Sequence, residues 1–252
     1  MQRVYYFKTT SSSPLDINST YKLSLSINNG EILIFGETKL VKGISVSTSN
    51  SGFSFAKDPG EYNNTSVSVG TGNAAIINTQ LEVHFKEFDG VDFSDKSFSW
   101  NLGESEVAAN STKGFPASGE TFYTLVKQNV SNNVNITRRL FSGFYITIVG
   151  GTEELYNYIT VNKPASTLAQ NKPVYTNLKV KGAKRVIGIF SARQTYKIYK
   201  PFYVSSSLAY IRAIDKKSTR ELCDGPITGD FFFCSDHPGD NIMNQEEFFA
   251  CQ

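Results

Sequence analysis

Charge and thiols are scarce in this chain. Asp, Glu, Lys and Arg make up 19% of its 252 residues, below the ~25% usual for globular proteins. The 25 basic and 23 acidic residues nearly cancel, leaving a net charge of +2. A chain so close to neutral lacks the field that gathers nucleic acid or an anionic membrane. The densest basic run, KVKGAKR from Lys179 to Arg185, reads as a solvated loop. No stretch approaches the ~20 apolar residues of a membrane-spanning helix. The opening MQRVYYFKTTSSS has no apolar signal-peptide core and reads as a strand, so the expectation is a cytosolic protein or a processed or trimmed form. Histidine occurs twice. His84 falls on the polar side of a strand pattern. His237 lies in CSDHPGDN beside one cysteine, short of the four ligands of a zinc site, and a Cys234–His237 nucleophile pair has no third group. P-loop, dinucleotide and Gly-x-Ser-x-Gly signatures are absent. SFAK at Ser54–Lys57 matches only the first motif of the serine acyl enzymes. Sequons at Asn110 and Asn135 are what an Asn/Ser/Thr-rich chain produces by chance.

All three cysteines, Cys223, Cys234 and Cys251, lie in the last thirty residues. Cys223 and Cys234 flank DGPITGDFFF, where Gly225-Pro226 and Gly229 allow the chain to turn back. A bridge closing that loop contributes ~2–3 kcal/mol in the chain-entropy model and implies an oxidising compartment. The alternative is three reduced, partly buried thiols.

The missing charge is replaced by Ser, Thr and Asn, alongside 13 Tyr and 19 Phe. Strand-forming aromatics with uncharged polar partners suit β-sheets that face water on one side. RVYYFKT, YKLSLSI and EILIFGET read as strands, the last two joined by an Asn29-Gly30 hairpin turn. Ser47 to Asn64 breaks the pattern, and Asp58-Pro59-Gly60 is a turn signal that places a domain or subdomain boundary there. In IINTQLEVHFKEF, Ile77, Thr79, Leu81, Val83 and Phe85 alternate with Asn78, Gln80, Glu82, His84 and Lys86, which predicts a strand with one dry and one wet face. KSFSWNL repeats this with Phe98 and Trp100. SGETFYTLVKQN predicts a helix capped by Ser118, and STRELCDG a short last helix. RVIGIFSARQ reads as a buried strand. The expected fold is mainly β: a smaller N-terminal β-sandwich portion over residues 1–60, then a larger β-sandwich with a few short helices over 61–252.

SGFYITIVGGTEELYNYITVNKPAS, from Ser142 to Ser166, passes from strand to helix across a glycine pair. Thr152 is placed to cap the helix, the glycines to let the chain turn sharply, and Glu153 and Glu154 to stabilise the first turn by ~0.3–1 kcal/mol. No partner acid or base is apparent for catalysis. Two acidic loops are calcium candidates. DGVDFSD presents Asp89, Asp92 and Asp95. DHPGDNIMNQEE presents Asp236, Asp240, Asn244 and Glu247, but puts Pro at position 3 and lacks Gly at position 6 of an EF-hand count. Otherwise these residues are turn-formers.

SGFYITIVGGTEELYNYITVNKPASTLAQNKPVYTNLKVKGAKRVIGIFSARQT resembles a block in exported lipoproteins of Bacteroidota that carry an uncharacterised domain. The resemblance rests on Gly151-Thr152-Glu153-Glu154, Tyr156 to Tyr158, Asn162 to Pro164, Pro173 to Asn177 and Gly188 to Arg193, and extends over roughly residues 20 to 236. It implies an immunoglobulin-like start followed by a β-sandwich, export, a lipid anchor on the outer membrane, and partnership with TonB-dependent outer-membrane transporters. It implies no catalytic residues. The chain departs from that family in showing neither a signal peptide nor a lipobox cysteine near residue 1 and in starting short of the first strands, as a processed or trimmed chain does. The leading expectation is therefore a non-enzymatic cell-surface or periplasmic accessory and binding protein on an outer-membrane β-barrel or transporter complex. It is expected to have no nucleic-acid partner and no cofactor beyond the candidate calcium. A viral or phage capsid-decorating or fibre sandwich is the alternative. A hydrolase is the third reading, and it requires Glu87, Asp89, Glu153 and Asp236 to converge.

Overall fold

The computed structural model describes residues 14–47, 52–162, 174–201, 203–205 and 210–235. It is mostly β. Strand β1 (Thr20–Ile27) and β2 (Ile32–Lys39) form an antiparallel hairpin in register Ile27 to Ile32. Its loop is longer than the two-residue Asn-Gly turn expected: Asn28, Asn29 and Gly30 all take positive φ, and Glu31 N–H closes the turn on the Asn28 carbonyl. Short side chains and glycine tolerate that conformation. Next come β3 (Ile44–Ser47), β4 (Ala56–Asp58), β5 (Glu61–Tyr62), β6 (Asn64–Thr71), β7 (Ile76–Phe88), β8 (Phe93–Glu106) and β9 (Thr112–Ser118). Helix α1 (Gly119–Asn129) leads to β10 (Arg138–Gly151) and helix α2 (Glu153–Asn162). The rest comprises β11 (Lys179–Lys181), β12 (Arg193–Pro201), β13 (Tyr203–Ser205), β14 (Tyr210–Arg212), helix α3 (Lys216–Asp224) and β15 (Phe233–Cys234).

Two sheets make the sandwich. The larger has the order β12-β10-β7-β8, with β15 added parallel to the start of β10. The smaller is β3-β6-β9. The alternation read in β7 holds: Ile77, Thr79, Leu81, Val83 and Phe85 are buried, and Asn78, Gln80, Glu82, His84 and Lys86 are not. In β10 the period slips at a bulge between Phe141 and Gly143, so Phe141 and Phe144 both point inward. These side chains meet Val67, Val69, Phe115 and Ala117 of the small sheet in one continuous core. Helix α1 closes one side. Its cap is the predicted one, Ser118 Oγ accepting from Thr121 N–H at 3.4 Å. Its Phe122 stacks on Phe55 with ring centroids 4.6 Å apart.

Residues on both sides of position 60 share this core, which includes Val41, Ile44, Phe53, Phe55 and Ala56. The Asp58–Gly60 turn is the tip of the β4–β5 hairpin, held to α3 by Gly60 N–H donating to Glu221 Oε2 and by Lys217 Nζ 3.2 Å from Asp58. Ser218 of α3 accepts from the Phe55 and Ala56 N–H groups. The β1–β2 hairpin is peripheral and fully buries only Gly36 and Thr38. Its sheet is completed by β11, some 140 residues downstream.

The segment RVIGIF is not a buried strand. It makes one bridge, Gly188 to Thr176, and Ile187 is 64% exposed. Gly188 sits at φ +132°, which interrupts an extended run, and Phe190 is spent on covering β2. A Cβ on Gly36 would stand 2.7 Å from Leu178 Cδ2 and 3.0 Å from Phe190 Cβ, so glycine there lets the 178–190 segment lie against the hairpin. Gly150 and Gly151 also differ from expectation. They belong to β10 and are buried, and a Cβ would meet Ile44 Cδ1 at 2.3 Å and Leu155 Cδ2 at 2.6 Å respectively. Close packing, not turning freedom, requires them.

Between β5, α1 and α3, Tyr62 and Tyr123 pack with ring centroids 5.5 Å apart beside buried Glu221. Burial, then the Glu221 carboxylate, pushes the Tyr62 phenol up to about 12. Burial also raises Tyr123, against the opposing effect of the Ser218 side chain, and the Tyr123 hydroxyl donates to the Ser218 carbonyl. Raised phenols favour the neutral form in the fold. Their contribution is therefore intact below the unfolded value of about 10 and is lost as pH rises through the folded values. Urea midpoints are expected to fall from about pH 10 upward, and less steeply in Tyr62→Phe; a flat profile there contradicts this.

Candidate functional site

A depression runs along a seam between the hairpin and α2. One compartment, about 380 Å³, is lined by Phe35, Gly36, Glu37, Glu153, Glu154, Asn157, Tyr175, Asn177 and Lys179. A second, about 330 Å³, shares Glu37, Glu153 and Glu154 and continues past Thr20, Thr38, Lys39, Asn73 and Thr152. Both fall in the ~300–1,000 Å³ range of small-molecule sites. Register explains the first wall: Lys179 stands opposite Phe35 across β11 and β2. Asn177 holds the second wall by donating to the Phe190 carbonyl at 2.8 Å and accepting from Phe190 N–H at 2.9 Å. Helix α2 is fixed by Leu155 in the core and by the Tyr156 hydroxyl donating to Glu106. Thr152 occupies the cap position, its carbonyl accepting from Tyr156 N–H at 3.0 Å and its N–H donating to the Ala192 carbonyl. Its side chain does not cap. Thr152 is 8% exposed, and its Oγ1 has no hydrogen-bond partner. So Glu153 and Glu154, read from sequence as a helix start, are also walls of a cleft.

A second feature covers the outer face of the large sheet. The register lines up Ser99, Glu82, Tyr145 and Tyr199 across β8, β7, β10 and β12. The two tyrosine rings lie 4.7 Å apart. Lys197 Nζ is 3.2 Å from Glu82 and 4.3 Å over the Tyr145 ring. His84 Nε2 is 3.1 Å from Glu82, and the His84 ring meets Tyr145 edge-on at 5.0 Å. Partial burial raises the Glu82 carboxyl, but the Lys197 hydrogen bond and the charges of His84 and Lys197 outweigh it and hold it below its ordinary value. Of this row the sequence reading placed only Glu82 and His84. Tyr199 and Lys197 carried a usable signal, since QTYKIYK alternates with period two.

The remaining candidates fall elsewhere. Asp89 caps its own turn: its Oδ1 accepts from Val91 and Asp92 N–H, both at 2.9 Å, and these bonds lower its pKa. Asp92 is in the same turn and Asp95 is on β8. Among the described residues no group of three His, Cys, Asp or Glu side chains is placed to hold a metal ion. Asp236, Asp240, His237 and Cys251 lie outside the described residues. The candidate Cys223–Cys234 bridge is not formed: Cys223 is a buried thiol, while Cys234 is disulfide-bonded. Cys223 points from α3 into the core, and Cys234 lies on β15 beside Leu140. Glu87 is locked to Arg139. Glu87 faces Arg139 at one end of β7, and Ile76 faces Gly151 at the other. Eleven residues of strand therefore put Glu87 about 35 Å from the α2 start, too far to share a substrate with Glu153.

No protein-family model matches the chain, and no curated protein matches it in sequence. Among the described residues no helix is long and apolar enough to cross a membrane.

Proposed function

We propose that the protein is a non-catalytic accessory and binding protein that docks on an outer-membrane protein complex, at the cell surface or on its periplasmic side. The observation that carries this reading is the outer face of the large sheet. It presents a tyrosine pair, with Tyr199 41% exposed, inside a field of Ser, Thr and Asn. Tyrosine is enriched and unpaired charge depleted at the centres of protein interfaces, and here Glu82 and Lys197 already pair. Four strands spaced ~4.8 Å apart, with β7 about 44 Å long, give a platform on the order of 600 Å², near the ~800 Å² per partner of a standard interface. A β-barrel or transporter subunit is the partner in this reading. Affinity capture of the tagged full chain from detergent-solubilised outer membranes is expected to recover a barrel protein, and Tyr199→Glu to lose it. Repeated recovery of the chain alone contradicts the proposal.

A further inference from the structure

We propose that the seam between α2 and the β1–β2 hairpin is a binding site for a neutral saccharide. Glu37, Glu153 and Glu154 supply acceptors, and Lys179 and Lys39 supply donors, in the same two compartments. The first N–H groups of α2 add further donors, because the helix geometry gives them no internal partner and Thr152 does not cap them. An anion meets three carboxylates there. A cation meets two ammonium groups and the positive end of the helix. A sugar hydroxyl both donates and accepts, so it satisfies both sets. Phe35 is 41% exposed in the wall beside Tyr175 and offers a ring to the C–H face of a pyranose. The buried Thr152 hydroxyl lines the second compartment without a partner. Such a group carries a desolvation cost that a ligand hydroxyl removes. Glu153 and Glu154 bind rather than catalyse in this assignment. Saccharide recognition here is independent of docking by the outer sheet face: either can be lost while the other remains.

The test is titration of the full chain with maltotriose, cellotriose, xylotriose and tri-N-acetylchitotriose, followed by saturation-transfer NMR and calorimetry, with inorganic phosphate and tri-arginine as charged controls. At least one neutral trisaccharide is expected to bind saturably. Phe35→Ala and Glu154→Gln are each expected to weaken it about tenfold or more while keeping the parent thermal midpoint within a few degrees. Thr152→Val is expected to weaken binding while holding or raising that midpoint, which a merely structural hydroxyl does not do. The assignment is overturned if no trisaccharide binds at millimolar concentration, if binding survives both Phe35→Ala and Glu154→Gln, or if only phosphate or tri-arginine binds.

Discussion

Arg139→Ala is expected to destabilise the protein by about 3–5 kcal/mol, the loss typical of stranding one partner of a buried ion pair. Arg139 is 1% exposed and Glu87 6%. The guanidinium donates through Nε to Glu87 Oε1 at 2.9 Å, with Nη2 2.8 Å from the same oxygen. Nη1 donates to the Phe231 carbonyl at 2.7 Å and Nη2 to the Ser131 carbonyl at 2.8 Å. One side chain therefore ties β7, the α1–β10 connection and the turn before β15. Removing it leaves a carboxylate and two carbonyls short of donors in a dry site, and a lysine lacks the planar fork to reach all three. Arg139→Lys should recover only part of the loss. Arg139→Met with Glu87→Leu should be milder than Arg139→Ala, because no charge is then stranded, although the two carbonyls stay unpaired. Urea unfolding of the four proteins measures this; a loss below about 1 kcal/mol for Arg139→Ala contradicts the network.

Phe122→Ala is expected to cost about 3–5 kcal/mol by a different route, a cavity at the centre of the sandwich. Phe122 is fully buried. Its ring stacks on Phe55 at 4.6 Å and on Trp100 at 6.3 Å, and meets Tyr123, Phe141 and Phe144 edge-on at 5.0, 6.3 and 5.9 Å. It is the side chain by which α1 enters the space between β8, β10 and the 53–55 segment. Alanine removes the ring from these five neighbours, which rigid strands prevent from closing in. Phe122→Leu should lose less, since most of the apolar volume stays. The urea midpoint should drop with an unchanged denaturant slope; an unmoved midpoint for Phe122→Ala would mean that α1 is not part of the core.

Local pattern made some of this architecture readable and long-range pairing hid the rest. Strand β7 was legible because its sheet has one dry and one wet face, so nine residues alternate. Helix α1 was legible because Ser118 caps it and Phe122, Leu125 and Val126 repeat at helical spacing. β6 and β9 were missed, since their Ser, Gly and Thr positions dilute the period. RVIGIF was misread because an apolar run does not reveal whether it enters a sheet or covers one. The glycine pair before Thr152 was read as a sharp turn, while its cause is close packing: Ile44, distant in sequence, crowds Gly150, and Leu155 of the next helix crowds Gly151. Half of the cleft was in view as Glu153 and Glu154. The other half, Phe35, Glu37, Tyr175 and Lys179, arrives by the pairing of β2 with β11, which no local spacing encodes. The disulfide shows the same limit: the short Cys223–Cys234 spacing permitted a bridge, but α3 turns Cys223 into the core.

In the proposed docking the partner is recognised on the outer face of the large sheet, and the α1 layer stays free of it. A photo-crosslinking residue placed at Tyr199, on that face, and separately at Glu120, exposed at the start of α1, tests this most directly. In intact outer membranes the position-199 variant is expected to crosslink to a β-barrel protein and the position-120 variant is not. Equal crosslinking at both positions, or none at position 199, contradicts docking through the outer sheet face.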